Sequence, residues 1–250
     1  MRKALLLLVV IAGFVAGCDR NEEEVDPALM GYDYYPLEIG DYRIYKVTDI
    51  RFQHNVGDTT RFQLMERVDT SFYDQTDKLN YKIIRSVRPD ENSGWVEDSV
   101  FVVSKQSTKV MLTKDNTRYV KLVFPIKDGV SWLGDAYNDH KANIISRDPN
   151  KRAEYYLDKD PSIYHNKRAS YTLMDKTYLN TVTVIQGYPS HDGVGLDDRK
   201  EVYAEGVGLI YKIFNRVMYT PCSIEDCVYG EKYKIHGHER HEELISHGNE

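Results

Sequence analysis

Past position 40 the chain alternates apolar and polar residues. In DYRIYKVTDIRF, residues 41–52, Arg43, Tyr45, Val47 and Asp49 fall on one face of an extended strand and Tyr42, Ile44 and Lys46 on the other, because successive strand side chains point to opposite sides. RFQLMERVDT groups Phe62, Leu64 and Val68. NYKIIRSVR sets Tyr81, Ile83 and Arg85 against Lys82, Ile84 and Ser86, and GWVEDSVFVVS sets Val96, Val100 and Val102 against Trp95, Phe101 and Val103. TKVMLT and RYVKLVF complete a first group of strands. YLNTVTVIQG, RKEVYAE, GLIYKIFNRVMY and KYKIHGHERHEELIS form a second. Val, Ile, Thr and Tyr suit strands, and the Gly, Pro, Asn and Asp between the runs suit turns. From Pro125 to Ser170 the pattern loosens. Lys127-Asp128-Gly129 reads as a turn, Trp132 and Tyr137 as rings closing one end of the sheet, and residues 137–147 as a short helix.

Connections of a few residues imply antiparallel pairing, since parallel strands need long crossovers. Some ten strands in about 210 residues predict a curved antiparallel sheet with little helix, a half-barrel or open barrel, with a β-sandwich as the alternative.

The N-terminus departs from this pattern. Arg2 and Lys3 precede Ala4–Gly17, which carries no charge. Fourteen helical residues reach about 21 Å, short of the roughly 30 Å hydrocarbon core of a bilayer. A buried helix would need a polar face, which this stretch lacks. A charged start, a short apolar core and small residues before a break are the marks of a secretory signal. Val15-Ala16-Gly17-Cys18 resembles the lipobox of bacterial lipoproteins. The resemblance implies a signal peptide over residues 1–17, cleavage before Cys18 and acylation, including palmitate, of Cys18. An ordinary signal peptide cut near Gly17 is the rival reading. Behind Cys18 the acidic Asp19, Glu22, Glu23 and Glu24 resemble a signal for export to the outer face of the outer membrane, while Asp directly after the cysteine resembles an inner-membrane retention signal. Localisation is read as the cell outer membrane, lipid-anchored, with the periplasmic or surface face undecided. Residues 18–33 read as the acylated cysteine and a flexible linker, interrupted by Pro27 and Gly31, and 34–250 as one β-rich domain.

Two motifs point to a fold family. In EVYAEGVGLIYK, Gly206 and Gly208 flank Val207 between two strand-like runs, where positive φ allows a tight reversal or bulge. The segment resembles a strand-turn-strand signature of curved antiparallel half-barrels in envelope proteins, among them periplasmic lipoprotein carriers and a group of uncharacterised lipoproteins. YYPLEIGDYRIYKV, residues 34–47, resembles the opening of that group's mature domain, with Arg43 where an aromatic residue is common. The two motifs imply fold and say little of activity. Gly193 to Leu196 repeats the tetrapeptide GVGL in different flanks and is not read as an internal repeat.

Charge and composition exclude some classes. Removing residues 1–17 takes away Arg2 and Lys3, so 33 basic residues become 31 against 39 acidic ones, a net of −8. Such a chain has no electrostatic footprint for nucleic acid. Cys222 and Cys227 lie in PCSIEDCVYG. A lone Cys-x4-Cys pair is a poor zinc signature, and in an exported chain it reads as a disulfide closing a short ring, worth about 2 kcal/mol.

No Gly-x-Ser-x-Gly elbow, GxGxxG or GK[ST] loop is present, and no catalytic residue is assigned. His236, His238, His241 and His247 form the one histidine cluster. On a strand His236 and His238 share a face, and on a helix His238 and His241 are neighbours. Either arrangement can hold a divalent metal, but a polar strand near the C-terminus explains it as well. No metal or cofactor is therefore assigned. The 20 tyrosines suit core and half-buried strand positions, or faces that contact glycan or peptide.

The leading reading is a lipid-anchored envelope protein whose β domain is a non-catalytic binding or structural module. Its partner is the membrane, through the anchor, together with a protein, glycan or lipid ligand that the sequence leaves open. The alternatives are a carrier holding an apolar ligand in a half-barrel groove and a metal-assisted hydrolase. The cysteine reading has a direct check. Alkylation of folded, unreduced protein should label neither Cys222 nor Cys227, and full labelling would show free thiols.

Overall fold

The computed structural model describes residues 27–137, 161–191, 193–219 and 233–250. Cys18, Cys222, Cys227 and residues 138–147 of the expected helix lie outside them. The described chain opens with a single helical turn, α1 (Pro27–Met30), and a 3-10 turn at Tyr32–Tyr34. No helix among the described residues is long and apolar enough to cross a membrane.

Strands follow: β1 (Asp41–Gln53), β2 (Val56–Tyr73), β3 (Leu79–Arg88), β4 (Val96–Lys105), β5 (Lys109–Lys114), β6 (Thr117–Val123) and β7 (Ser131–Leu133) in the first half. The second half holds β8 (Pro161–Leu173), β9 (Lys176–Gln186), β10 (Ser190–His191), β11 (Gly195–Ala204), β12 (Gly208–Tyr219) and β13 (Lys234–Asn249). Every pairing is antiparallel. The order across the sheet is β6-β5-β4-β3-β2-β1-β13-β12-β11-β9-β8-β7, with the short β10 paired to β11. The sheet is two meanders joined at β1–β13 and curled into a nearly closed barrel, the closed end of the range of curvature that the sequence predicts; the sandwich alternative is not what forms.

The two edges meet at a seam. The Val120 amide donates to the Gly134 carbonyl at 2.7 Å. Trp132 Nε1 donates to the Val120 carbonyl at 3.0 Å. The Tyr164 hydroxyl accepts from the Val123 amide at 2.8 Å and donates to the Val123 carbonyl at 2.9 Å. These contacts satisfy edge groups that would otherwise be open to pairing with other chains.

Strand alternation fixes what faces inward. Tyr45 and Val47 of β1, Leu64 and Val68 of β2, Ile83 of β3, and Phe101 and Val103 of β4 are buried, on the faces that the alternation groups together. One apolar cluster joins Val68, Ile83, Phe101, Val103, Val110, Leu122, Tyr164, Val182, Val184 and Tyr203. Tyr34, Leu37 and Ile126 close it, with Met30 and Tyr32 packed alongside. Tyr32 meets Phe124 edge to face, with ring centroids 4.7 Å apart. The loosened region contains a strand that the pattern hides. In β8, Asn166 and Arg168 hold positive φ, and the β8–β9 register shifts between His165 and Ala169, so strict alternation fails there.

The turn between β11 and β12 is set by two glycines and an arginine. Gly206 has φ +73 and Gly208 φ +91. A Cβ on Gly206 would meet open space, whereas one on Gly208 would lie 2.9 Å from Arg43 Nε. Arg43 donates from Nε to the Val207 carbonyl at 2.7 Å and from Nη2 to the Pro36 carbonyl at 2.9 Å. The Tyr45 hydroxyl donates to the Leu209 carbonyl at 3.0 Å. Gly206→Ala should cost about 1 kcal/mol from backbone strain alone. Gly208→Ala should cost roughly 1 kcal/mol more, because the methyl also displaces Arg43 from its carbonyls. Urea midpoints test the order, and equal midpoints would refute the Arg43 clasp.

Candidate functional site

Beyond the apolar cluster the barrel interior turns polar, and cross-strand register dictates how. Glu66 of β2 lies opposite Arg85 of β3. Lys212 of β12 has Glu201 of β11 on one side and Glu242 of β13 on the other. Direct cross-strand neighbours are close enough to pair their charges. The result is a belt of ionised groups inside the barrel.

The carboxylates are firmly held. Glu201 and Glu242 are each 2% exposed. Glu201 is paired with Lys121 and accepts from the Tyr203 hydroxyl at 2.6 Å. Glu242 accepts from Arg240 Nε at 2.7 Å, with Lys212 Nζ farther off at 3.5 Å. Asp49 accepts from Arg240 Nη1 at 2.9 Å and sits 3.0 Å from His238 Nε2. Burial alone would raise these pKa values, since it penalises charge. For Glu242 the Lys212, Arg240 and Arg85 cations outweigh burial and hold the carboxyl at about 2. For Glu201, Lys121 and Lys212 outweigh burial and lower its pKa. For Asp49, hydrogen bonds from His238 and Arg240 do the same. Buried phenols are pushed the other way. Burial first, then Glu201, raises Tyr203 well above its ordinary value, and burial first, then Glu66, does so for Tyr45.

The cations are less well satisfied. Arg85 Nε lies 3.4 Å from Glu66 Oε1, yet it is buried without a hydrogen-bond partner, so the pair is close but misaligned. Arg85 lies over the Phe101 ring at 4.8 Å, and Lys114 approaches the same ring at 5.3 Å. These groups surround an inner cavity of about 140 Å³. Five basic side chains line it, Arg43, Arg85, Lys114, Lys121 and Lys212, against the three carboxylates Glu66, Glu201 and Glu242, so the cavity is positive inside an acidic protein. An outer space of about 400 Å³ adjoins it, lined by Phe62, Leu64, Val87, Phe214, His238 and Arg240, with Asp98 also on its wall. Arg85, Lys114, Lys212 and Glu242 line both spaces.

Two lining residues reach the site through bulges. Lys121 is skipped in the β5–β6 register, where Val110 pairs with Leu122 and Met111 with Val120. Asp98 is skipped in the β3–β4 register, where Arg85 pairs with Ser99 and Ser86 with Glu97. A bulge re-aims a side chain against the period of two, which is why alternation does not single out either residue. Arg85 is legible as the companion of Tyr81 and Ile83, and Glu66 is in phase with Leu64 and Val68, but neither is legible as a charged partner. Lys212 is out of phase with the buried Ile213, Asn215 and Val217.

The histidine cluster lies on β13, a strand and not a helix. His238 engages Asp49, while His241 Nδ1 lies 3.4 Å from the Tyr211 hydroxyl. His236 lines the open end with Arg51 and Phe52. His247 Nε2 lies 3.4 Å from Lys176 Nζ, and burial, then Lys176 and Arg43, lowers its pKa. Among the described residues no three His, Cys, Asp or Glu side chains are arranged to hold a metal ion. Of the tyrosines, Tyr34, Tyr45, Tyr164, Tyr178, Tyr203 and Tyr219 are buried, where their hydroxyls allow ring packing beside polar groups.

No family model matches the chain, and no curated protein matches its sequence. Among solved structures, it is similar to a protein of Bacteroides fragilis assigned as exported and as having a YmcC-like fold, with 9% identity and a TM-score of 0.37, over 86% of this chain and 98% of the other. It is also similar to a protein of Parabacteroides distasonis assigned as a lipoprotein, with 11% identity and a TM-score of 0.37, over 86% and 98%.

The depressed carboxyl pKa values predict acid sensitivity of known sign. A group whose folded pKa lies below its unfolded value stabilises fully above the unfolded value, and that contribution is lost as pH falls through the folded one. For Glu242 the window runs from the ordinary 4.5 down to about 2, and the contribution lost is on the order of 3 kcal/mol. Urea midpoints measured from pH 6 to pH 2 should fall more shallowly for Glu242→Gln than for the unaltered protein, although the variant is weaker at pH 6. Parallel curves would contradict the assignment.

Proposed function

We propose that the chain is a lipid-anchored protein of the cell envelope whose barrel is a non-catalytic binding module for a polar ligand. The anchor rests on the N-terminal sequence. Arg2 and Lys3, an apolar stretch too short to span, and Val15-Ala16-Gly17-Cys18 support acylation at Cys18, and the outer membrane is the destination we assign to it. A polar linker then leads to the packed chain at Met30 and Tyr32.

The observation that carries the binding reading is the character of the open interior. The apolar cluster is buried, and in the space left open charged side chains stand among the apolar ones. Arg43, Arg85, Lys121, Lys212 and Glu201 lie beside Phe101 and Leu112 in the inner cavity, and Arg240 lies beside Phe62, Leu64, Val87 and Phe214 in the outer one. An acyl chain placed in the inner cavity would strip water from its ionised groups, a cost of several kcal/mol that contact with Phe101, Leu112 and Leu209 offsets only in part. This favours a polar ligand over the apolar cargo of a lipid carrier. The hydrolase alternative has no metal-holding group among the described residues.

Two measurements test the reading. Cys18→Ser should move the protein from the membrane fraction to the soluble one, and retention in the membrane would refute the anchor. Native mass spectrometry of protein purified from membranes should find no lipid beyond the acyl groups on Cys18. An acyl chain held noncovalently inside the barrel would restore the carrier.

A further inference from the structure

The polar-ligand reading leaves open what the interior recognises, and the charge pairing narrows it. Two of the three carboxylates of the belt have a better partner than the cations nearest the cavity junction, and the third, Glu66, faces Arg85 only at 3.4 Å. Glu242 is taken by Arg240 at 2.7 Å and Glu201 by Lys121 and Tyr203. Lys212, although it stands between these two acids in register, keeps a long contact of 3.5 Å to Glu242. Arg85 keeps its misaligned contact with Glu66 and an unpartnered Nε. Lys114 has an ion pair at 3.9 Å with Asp115, whose side chain is 82% exposed. Arg85 and Lys114 both approach the ring of Phe101 and line both spaces, so two cations face the same junction without a close carboxylate.

We propose that Arg85, Lys114 and Lys212 form a subsite for an oxyanion, a phosphate or a carboxylate, at the junction of the inner and outer spaces. This rests on the reading of the barrel as a polar-ligand module. A bound oxyanion supplies the acceptor that Arg85 Nε lacks, since a guanidinium fork matches carboxylate and phosphate geometry. It also offers Lys114 a counter-charge and gives Lys212 a nearer one. The low local dielectric strengthens each of these contacts. Glu242 lines the same junction, but the Arg240 guanidinium at 2.7 Å offsets its charge, so it repels an anion less than an unpaired carboxylate does. The inner cavity of about 140 Å³ takes the anionic group, and the outer space of about 400 Å³ takes the part of the molecule that bears it.

The test uses the full chain in detergent, titrated with sodium phosphate and, separately, with sodium citrate at constant ionic strength. A saturable rise in Tm with either anion is expected, as mass action requires for a ligand that binds only the folded state. A response to phosphate but not citrate identifies a phosphate site, and the reverse a carboxylate site. Lys114→Gln should weaken the apparent affinity about tenfold while leaving the unliganded Tm close to that of the parent, because its side chain is 40% exposed. Arg85→Gln should weaken affinity further. If Arg85→Gln does not fold, Lys114→Gln alone decides. No saturable response to either anion, or equal responses in parent and Lys114→Gln, would overturn the subsite. A neutral sugar that binds while both anions fail would overturn the subsite and leave the polar-ligand module standing. An acyl-chain probe bound inside the barrel would overturn both.

Discussion

The pairing of β1 with β13 is the constraint on which the rest of the barrel depends. It joins Asp41 to Asn249 at one end and Gln53 to His236 at the other, bringing the two sequence-distant ends of the domain side by side in the middle of the sheet. Most other neighbours in the sheet are close in the chain, so much of each meander can form from local hairpins, although β7 meets β8 only across 28 residues or more. This pairing closes by far the longest loop among the described strands, and its entropy must be offset by contacts made after the two meanders meet. The inward face of β1 supplies them. Arg43 and Tyr45 reach the Val207 and Leu209 carbonyls of the β11–β12 turn, and Asp49 holds Arg240 and His238 of β13. One strand therefore sets both the central register and the position of the glycine turn.

Stability and recognition occupy different parts of the same interior. The cluster around Phe101, Tyr164 and Tyr203 removes apolar area from water. The charged belt is a poor source of net stability, because desolvating ions offsets much of their mutual attraction. Its geometry has another consequence: with Glu201 and Glu242 already engaged, the surplus is positive and lies where the two spaces meet. Phe101 connects the two regions, with its ring buried in the apolar cluster and approached by Arg85 and Lys114.

The bulges explain how a regular sheet builds an irregular site. With strict alternation Lys121 would point away from its buried neighbour Leu122, and Glu201 would lose the partner that lowers its pKa. Skipping one residue turns Lys121 toward Glu201. The β11–β12 sheet does the same at Ile210, which is skipped between Tyr211 and Leu209 opposite Val202 and Tyr203. On β11 itself the alternation is unbroken, so Glu201 and Tyr203, two residues apart, share a face, and Tyr203 joins the apolar cluster while its hydroxyl reaches Glu201. At the seam, Trp132 and Tyr164 close the barrel with side-chain hydrogen bonds to the backbone of the facing edge. They do so where β7 is only three residues long.

What the sequence by itself determined was local. A period of two is a property of each strand alone, so the inward faces of β1 to β4, the turn glycines and the predominance of antiparallel strands were legible without coordinates. Arg43 stood out because it replaces a common aromatic, yet its role depends on Val207, 164 residues away. β8 was hidden because its positive-φ residues break the period. Only the tertiary structure decided that the sheet closes, that Lys212 lies between Glu201 and Glu242, and that Arg85 and Lys114 share one ring. Each of these depends on register between strands or on a bulge that shifts it. The energy that selects a register comes from side chains far apart in the chain, which no local pattern records.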